Sequence, residues 1–253
     1  AMGGLRHLTG EPGRVPVRVG VSIGDTLAAL HGVIGVMMAL YHRKVNGGAG
    51  QVIDVALHEA VFNCMESLIP EYSAFGAVRE PAGSALPGIA PSNAYPCRDG
   101  WVLVAGNGDS IFKRLMATID RQDLADDAQL ADNAGRVARV AEIDAAIGTW
   151  TGQHSVAQVM ERLAAARVPA GTVYTAKDIA EDPHYQARAM LLQQQTRDGY
   201  SITVPGVVPK LSATPGTVRT SAPHLGDDTD AVLMDAGLTR EQIALLRGKG
   251  VIQ

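Results

Sequence analysis

Aromatic residues make up only 4% of the chain, so any core must rest on Ala, Val, Leu, Ile and Met. Charge is sparse as well, at 19%, with 22 Lys and Arg against 26 Asp and Glu, a formal net charge of -4. That balance offers no basic surface to nucleic acid or to an anionic membrane, so neither partner is expected. Cysteine is nearly absent. Cys64 and Cys97 are the only two, which suits a reducing compartment and a cytoplasmic location. Both read as buried small hydrophobes. Neither stands at metal-ligand spacing from a His, so no metal is expected. The longest apolar stretch, residues 27–40, is interrupted by His31 and is shorter than a bilayer crossing. The opening Ala1-Met2-Gly3-Gly4 lacks the basic and apolar regions of a secretory leader, and none is expected. What is present is 46% hydrophobic residues in 253, enough for one large packed domain or two small ones.

Residues 1–20 are rich in Gly, Pro and Arg and read as extended loop. Val21-Ser22-Ile23-Gly24-Asp25 leads into residues 26–41, too long and too evenly apolar for a strand. They predict a helix buried on most sides, stopped by Asn46-Gly47-Gly48. Residues 51–57 read as a strand and 58–69 as a helix, an α/β rhythm. Four Pro and two Gly between Pro81 and Pro96 mark a linker or a long functional loop. Further on, strands are expected at 101–105, 172–175 and 200–208. Helices are expected at 111–119, 134–149, 155–166, 178–190 and 240–248.

Asp25 is the leading candidate for chemistry. At the first turn of a helix its carboxylate would face unpaired N–H groups and the positive end of the dipole, surroundings that favour an anion. It could cap the helix, as Asp often does, or attack a carbonyl as a nucleophile. Gly106-Asn107-Gly108 lacks the third glycine of a dinucleotide fingerprint and reads as a turn. His31 lies six residues past Asp25, about 240° around an ideal helix. It reads as a core histidine with a partner.

Four groups of residues, in this order, resemble the family III CoA-transferases (the CaiB/BaiF family, with formyl-CoA transferase and carnitine CoA-transferase). They are Leu8-Thr9-Gly10 with Val21-Ser22-Ile23-Gly24-Asp25-Thr26-Leu27-Ala28, and then Gly50-Gln51-Val52-Ile53-Asp54-Val55-Ala56-Leu57. Next come Val168-Pro169-Ala170-Gly171 with Asp178-Ile179 and Asp182-Pro183-His184. The last are Pro223-His224-Leu225-Gly226, Thr229, Ala236-Gly237-Leu238 and Gly250-Val251-Ile252.

The resemblance implies that Asp25 is the catalytic nucleophile. It would attack an acyl-CoA thioester to give a mixed anhydride. The returning thiolate would make an aspartyl-CoA thioester, which an acceptor carboxylate opens. Coenzyme A enters as a thioester substrate, with no cofactor bound. The family's glycine-rich covering loop would fall on Gly83, Ser84 and Gly88, although the run of consecutive glycines is missing here. The implied fold is α/β, the C-terminal portion of a Rossmann-like large domain with an inserted small α+β domain. Residues 1–78 and 151–253 would belong to the large domain and 79–150 to the small one. The implied assembly is an interlocked homodimer, and the N-terminal region that binds most of the CoA is expected to be missing.

Residues 19–72, with Glu66-Ser67-Leu68-Ile69-Pro70-Glu71-Tyr72, look most like members that use dicarboxylic acids such as succinate, glutarate or citramalate. Two alternatives remain. One is an α-methylacyl-CoA racemase, whose glycine-rich run after the aspartate is replaced here by Thr26-Leu27-Ala28-Ala29-Leu30. The other is a catalytically silent portion serving dimerisation or structure.

Overall fold

A computed structural model describes residues 1–253, which separate into two units, 1–173 and 174–253. The first begins with α1 (Leu5–Leu8), a single turn inside the stretch expected to be loop. Then comes α2 (Ile23–Val45), 23 residues long. His42, Arg43 and Lys44 fill its last turn, where cations meet the negative end of the dipole. The helix starts earlier and ends later than the apolar run alone suggests. By length and composition it reaches what a bilayer crossing takes, so the expectation of no stretch that long is corrected.

The expectation that α2 is buried on most sides is also corrected, since none of its residues is fully buried. One side packs on α3 (Leu57–Phe62) and on Ile53, whose methyl lies where a Cβ on Gly35 would sit. The other side has no neighbour. Leu30, Val33, Ile34, Met37, Met38 and Tyr41 form an exposed stripe at helical spacing.

Residues 51–56 are not a strand, because no second strand lies alongside to take their backbone hydrogen bonds. The helix expected at 58–69 is two helices, α3 and α4 (Leu68–Phe75), separated by Glu66 at φ 52°. Gly76, in the left-handed conformation, ends α4 and returns its N–H to the Tyr72 carbonyl.

The core of this unit gathers on a three-stranded antiparallel sheet. Its strands are β1 (Ser92–Cys97), β2 (Gly100–Ala105) and β3 (Ala170–Thr172), in the order β1-β2-β3. β1 lies inside the stretch read as linker. α5 (Asp109–Thr118), α6 (Gln122–Ala125), α7 (Asn133–Ala138), α8 (Val140–Thr151) and α9 (Val156–Ala165) build the core on the face that carries Tyr95, Val102 and Val104, while Trp101 and Leu103 on the other face are exposed. Tyr95, Val102, Phe112, Leu115, Ile143, Ile147, Val159 and Leu163 fill the middle. A capping box at Ser155 and Gln158 starts α9. The core runs on through Leu163 and Val168, so the domain boundary expected at residue 150 cuts through it.

The second unit carries α10 (Ala176–Glu181) and α11 (Pro183–Ala187), where one helix was expected at 178–190. Pro183 cannot continue α10 but fits the first turn of α11, and Asp182 caps that turn through the His184 and Tyr185 N–H groups. β4 (Leu191–Gln195) and β5 (Ser201–Pro205) form an antiparallel pair. α12 (Thr229–Asp235) and α13 (Arg240–Gly248) follow, the latter with the limits its sequence pattern predicts. Helices and small sheets mix throughout, as expected of an α/β chain, and both sheets are antiparallel.

Candidate active site

The site is built by the first 25 residues folding back on α3. Gly3 is buried against the Val61 side chain and the His58 carbonyl, an approach so close that a Cβ would meet Val61 at 2.6 Å. That contact seats α1. Thr9 donates its hydroxyl to the Leu5 carbonyl (2.7 Å), and the Val17 N–H closes on the Thr9 carbonyl (3.1 Å). The chain therefore leaves α1, makes a closed turn and returns to it before α2 begins. The result is a recess of about 230 Å³ whose walls include Arg6, Arg18, Ser22, Asp25 and Val61.

Asp25 stands in the first turn of α2 but does not cap it. Ser22 holds the cap position, and no side chain there takes up a backbone N–H. Asp25 is exposed to the recess and forms neither a side-chain hydrogen bond nor an ion pair within the protein. Of the two readings of this residue, the capping role has no bond to support it. A carboxylate with both oxygens free, at a helix end whose N–H groups favour negative charge, is suited to act on a ligand.

His31 is accounted for otherwise. Its Nδ1 lies 2.8 Å from the Leu27 carbonyl, and its Nε2 lies 3.1 Å from Asn63 Nδ2. Donation from Nδ1 to that carbonyl leaves Nε2 to accept from the amide, so the ring braces α2 on the residue that ends α3. Cys64 is exposed at the end of α3, which corrects the reading of it as buried. It sits in the turn after α3, where its N–H donates to the Val61 carbonyl and its side chain is left uncovered. Cys97 is partly buried, and burial, with Asp99 nearby, raises its thiol pKa, unlike a reactive thiolate.

The structure does not place Gly83, Ser84 or Gly88 on the wall of the recess that holds Asp25. Their segment is tied down elsewhere. The Gly83 N–H donates to the Gly10 carbonyl (3.0 Å), Ser84 Oγ to Asn93 Oδ1 (2.6 Å), and Asn133 Nδ2 to the Gly88 carbonyl (2.9 Å). Gly83 and Gly88 have φ of 64° and 76°, where a Cβ is strained. Asn93 and Tyr95 both donate to Asp144, at 3.0 and 2.6 Å. Burial, and then the Asp144 carboxylate, pushes the Tyr95 hydroxyl far above its ordinary value, so it remains a donor.

Sequence reasoning singled out Asp25 but not Arg6 and Arg18, which line the same recess. Their only signal was the arginine content of the first 20 residues, which were set aside as loop.

With this geometry in hand, likeness to known proteins becomes decisive. Residues 1–229 match the sequence profile of CoA-transferase family III. The chain belongs to that family. A succinyl-CoA–D-citramalate CoA-transferase of Chloroflexus aurantiacus is 42% identical over 254 residues, covering all of this chain and 63% of that protein. The beta subunit of a succinyl-CoA–L-malate CoA-transferase from the same organism is 37% identical, again over the whole chain and 63% of its own length. The chain thus spans less than two thirds of these family III relatives. In structure, a CaiB/BaiF family protein from Brucella suis superposes with a TM-score of 0.77 at 30% identity, covering 92% of this chain and 60% of its own.

Proposed function

We propose that this chain carries the nucleophile of an acyl-CoA:carboxylate CoA-transferase working between small dicarboxylic acids such as succinate. The observation that carries the reading is the free carboxylate of Asp25 in a chain 42% identical, end to end, to a transferase named for succinyl-CoA and citramalate. An Asp25 oxygen attacks the thioester carbonyl of the donor. The C–S bond breaks, leaving a mixed anhydride and CoA thiolate. The thiolate then attacks the Asp25 carbonyl carbon and displaces the donor acid as its carboxylate. The acceptor carboxylate repeats the sequence in reverse. It opens the aspartyl-CoA thioester to a new anhydride, and the thiolate takes the acceptor's acyl carbon and restores Asp25. Every step exchanges one acyl–oxygen or acyl–sulfur bond for another, and no net proton is needed.

The same reading includes coenzyme A as substrate with no cofactor held, an interlocked homodimer, a cytoplasmic location, and partners limited to acyl-CoA and carboxylic acid, without membrane or nucleic acid. Gly83, Ser84 and Gly88 act in it as a cover that approaches the intermediate in the assembled enzyme. Incubating the intact protein with succinyl-CoA, then digesting and weighing the peptides, should find the acyl or CoA adduct on the peptide containing Asp25. Asp25→Ala should lower turnover by about 1,000-fold or more with the fold kept. An unmodified peptide, or near-normal turnover in the variant, would refute the assignment.

A further inference from the structure

Two cations share the recess with the nucleophile, and nothing in these 253 residues pairs with them. Arg6 and Arg18 are both exposed, and neither forms an ion pair or a side-chain hydrogen bond. Arg14, Arg43 and Arg167 are likewise unpaired but lie outside the recess, while several other arginines of this unit are already engaged. Arg79 is bound to Glu71 and Glu66, Arg121 to Asp123, Arg139 to Asp127 and Glu142, and Arg136 to Asp109. Asp25 is the recess's single carboxylate, so its walls carry two guanidinium groups against one anion. A guanidinium fork fits a carboxylate in two parallel hydrogen bonds.

The place of the arginines points to which anion fits. In a four-carbon dicarboxylic thioester, the free carboxylate lies about three C–C bonds, roughly 4 Å, from the carbon under attack. The nearest phosphate of CoA lies about a dozen bonds away along the pantetheine arm. Both arginines line the same recess of about 230 Å³ as the nucleophile, the neighbourhood the acyl group under attack must occupy, whereas the phosphates lie at the far end of the pantetheine arm. The electrostatics agree. A second carboxylate brought within several ångströms of Asp25 is repelled unless positive charge lies alongside.

We propose that Arg18, with Arg6, binds the free carboxylate of the dicarboxylic acyl group while Asp25 attacks its thioester carbonyl. This rests on the transferase reading above and adds the residues that select the substrate. They make a specificity site, which distinguishes a dicarboxylic acyl group from a monocarboxylic one of equal length.

Succinyl-CoA and butyryl-CoA provide the test, since they differ in a terminal carboxylate against a methyl. With one acceptor at a fixed saturating concentration, donor kcat/KM in this double-displacement scheme reports the donor half alone. In Arg18→Gln the ratio of kcat/KM for succinyl-CoA over butyryl-CoA should fall by about 10- to 100-fold. Arg6→Gln should lower it less, and Arg18→Lys should restore part of it. Both side chains are exposed and unpaired, so melting temperatures should match wild type. Equal losses on the two donors would assign the arginines to CoA phosphates and overturn the proposal, as would an unchanged ratio. A wild-type protein that transfers CoA from neither donor would overturn the transferase reading itself, and the arginine assignment with it.

Discussion

At Arg136 a guanidinium sits 1% exposed in the middle of the first unit, stacked 5.2 Å from the centroid of the Phe112 ring. It donates to the carbonyls of Ala90, Leu130 and Asn107 and to Asp109, partners on three separate stretches of chain. Removing it would leave the Ala90 and Leu130 carbonyls without their donor in a closed core. Arg136→Ala should therefore cost about 3 kcal/mol or more, read as a lower urea midpoint with an unchanged m-value. Arg136→Lys should recover little, because one ammonium cannot reach the several carbonyls that the planar fork serves. Asp25 lies at the opposite extreme. It has no bonding role in the fold, so Asp25→Ala should leave stability almost unchanged while abolishing turnover.

Among the elements, α9 shows the local code at its clearest. The Ser155 hydroxyl accepts from the Gln158 N–H, and the Gln158 side chain accepts from the Ser155 N–H. Ser155→Ala should cost about 1 kcal/mol in thermal or urea unfolding, and Ser155→Asp should keep most of that. The 83–88 segment follows a different rule. Gly83 has positive φ, and an added Cβ would also come within 2.7 Å of the Glu11 carboxylate. Gly83→Ala should thus destabilise by about 1 kcal/mol through backbone strain. Pairing it with Glu11→Ala should relieve only the crowding part, a difference a double-mutant cycle measures.

Across the molecule, surface ion pairs set the response to acid. Asp127 and Glu142 are held below the usual carboxylate range first by hydrogen bonds from Arg139, and Asp123 by a pair from Arg121. Depressed folded-state values mean that their contribution is present above the unfolded pKa of about 4 and fades as pH falls through the folded one. The melting temperature should accordingly vary little from pH 8 to 5 and drop below about pH 4. Because these groups are exposed, 1 M salt should shrink that drop. The apolar stripe of α2 sets a second global property. With Leu30, Val33, Ile34, Met37, Met38 and Tyr41 all uncovered, the isolated 253-residue chain should self-associate in light scattering and bind hydrophobic dyes. Ile34→Glu with Met38→Glu should reduce both signals.

Much of this was fixed by residues close together in sequence. The apolar periods of α5, α9 and α13, and the capping boxes of the last two, depend on neighbours within about four residues, and their limits were legible within a few positions. The order of the motifs from Leu8 to Ile252 carried the family, and with it Asp25. Contacts between distant segments decided the rest. Residues 51–56 have a strand's alternation but no partner, so they remain extended and unpaired. β1 follows one proline, Pro91, and contains another, Pro96, yet becomes a strand because β2 lies opposite. The continuous apolarity of α2 suggested burial, but its stripe has no covering element among these residues. The recess arises only because Gly3 docks on Val61 and the 9–17 turn closes, which brings Arg6 and Arg18 to the same wall as Asp25. A one-dimensional pattern records what each residue prefers, and only packing determines which charges end up facing the same few ångströms of space.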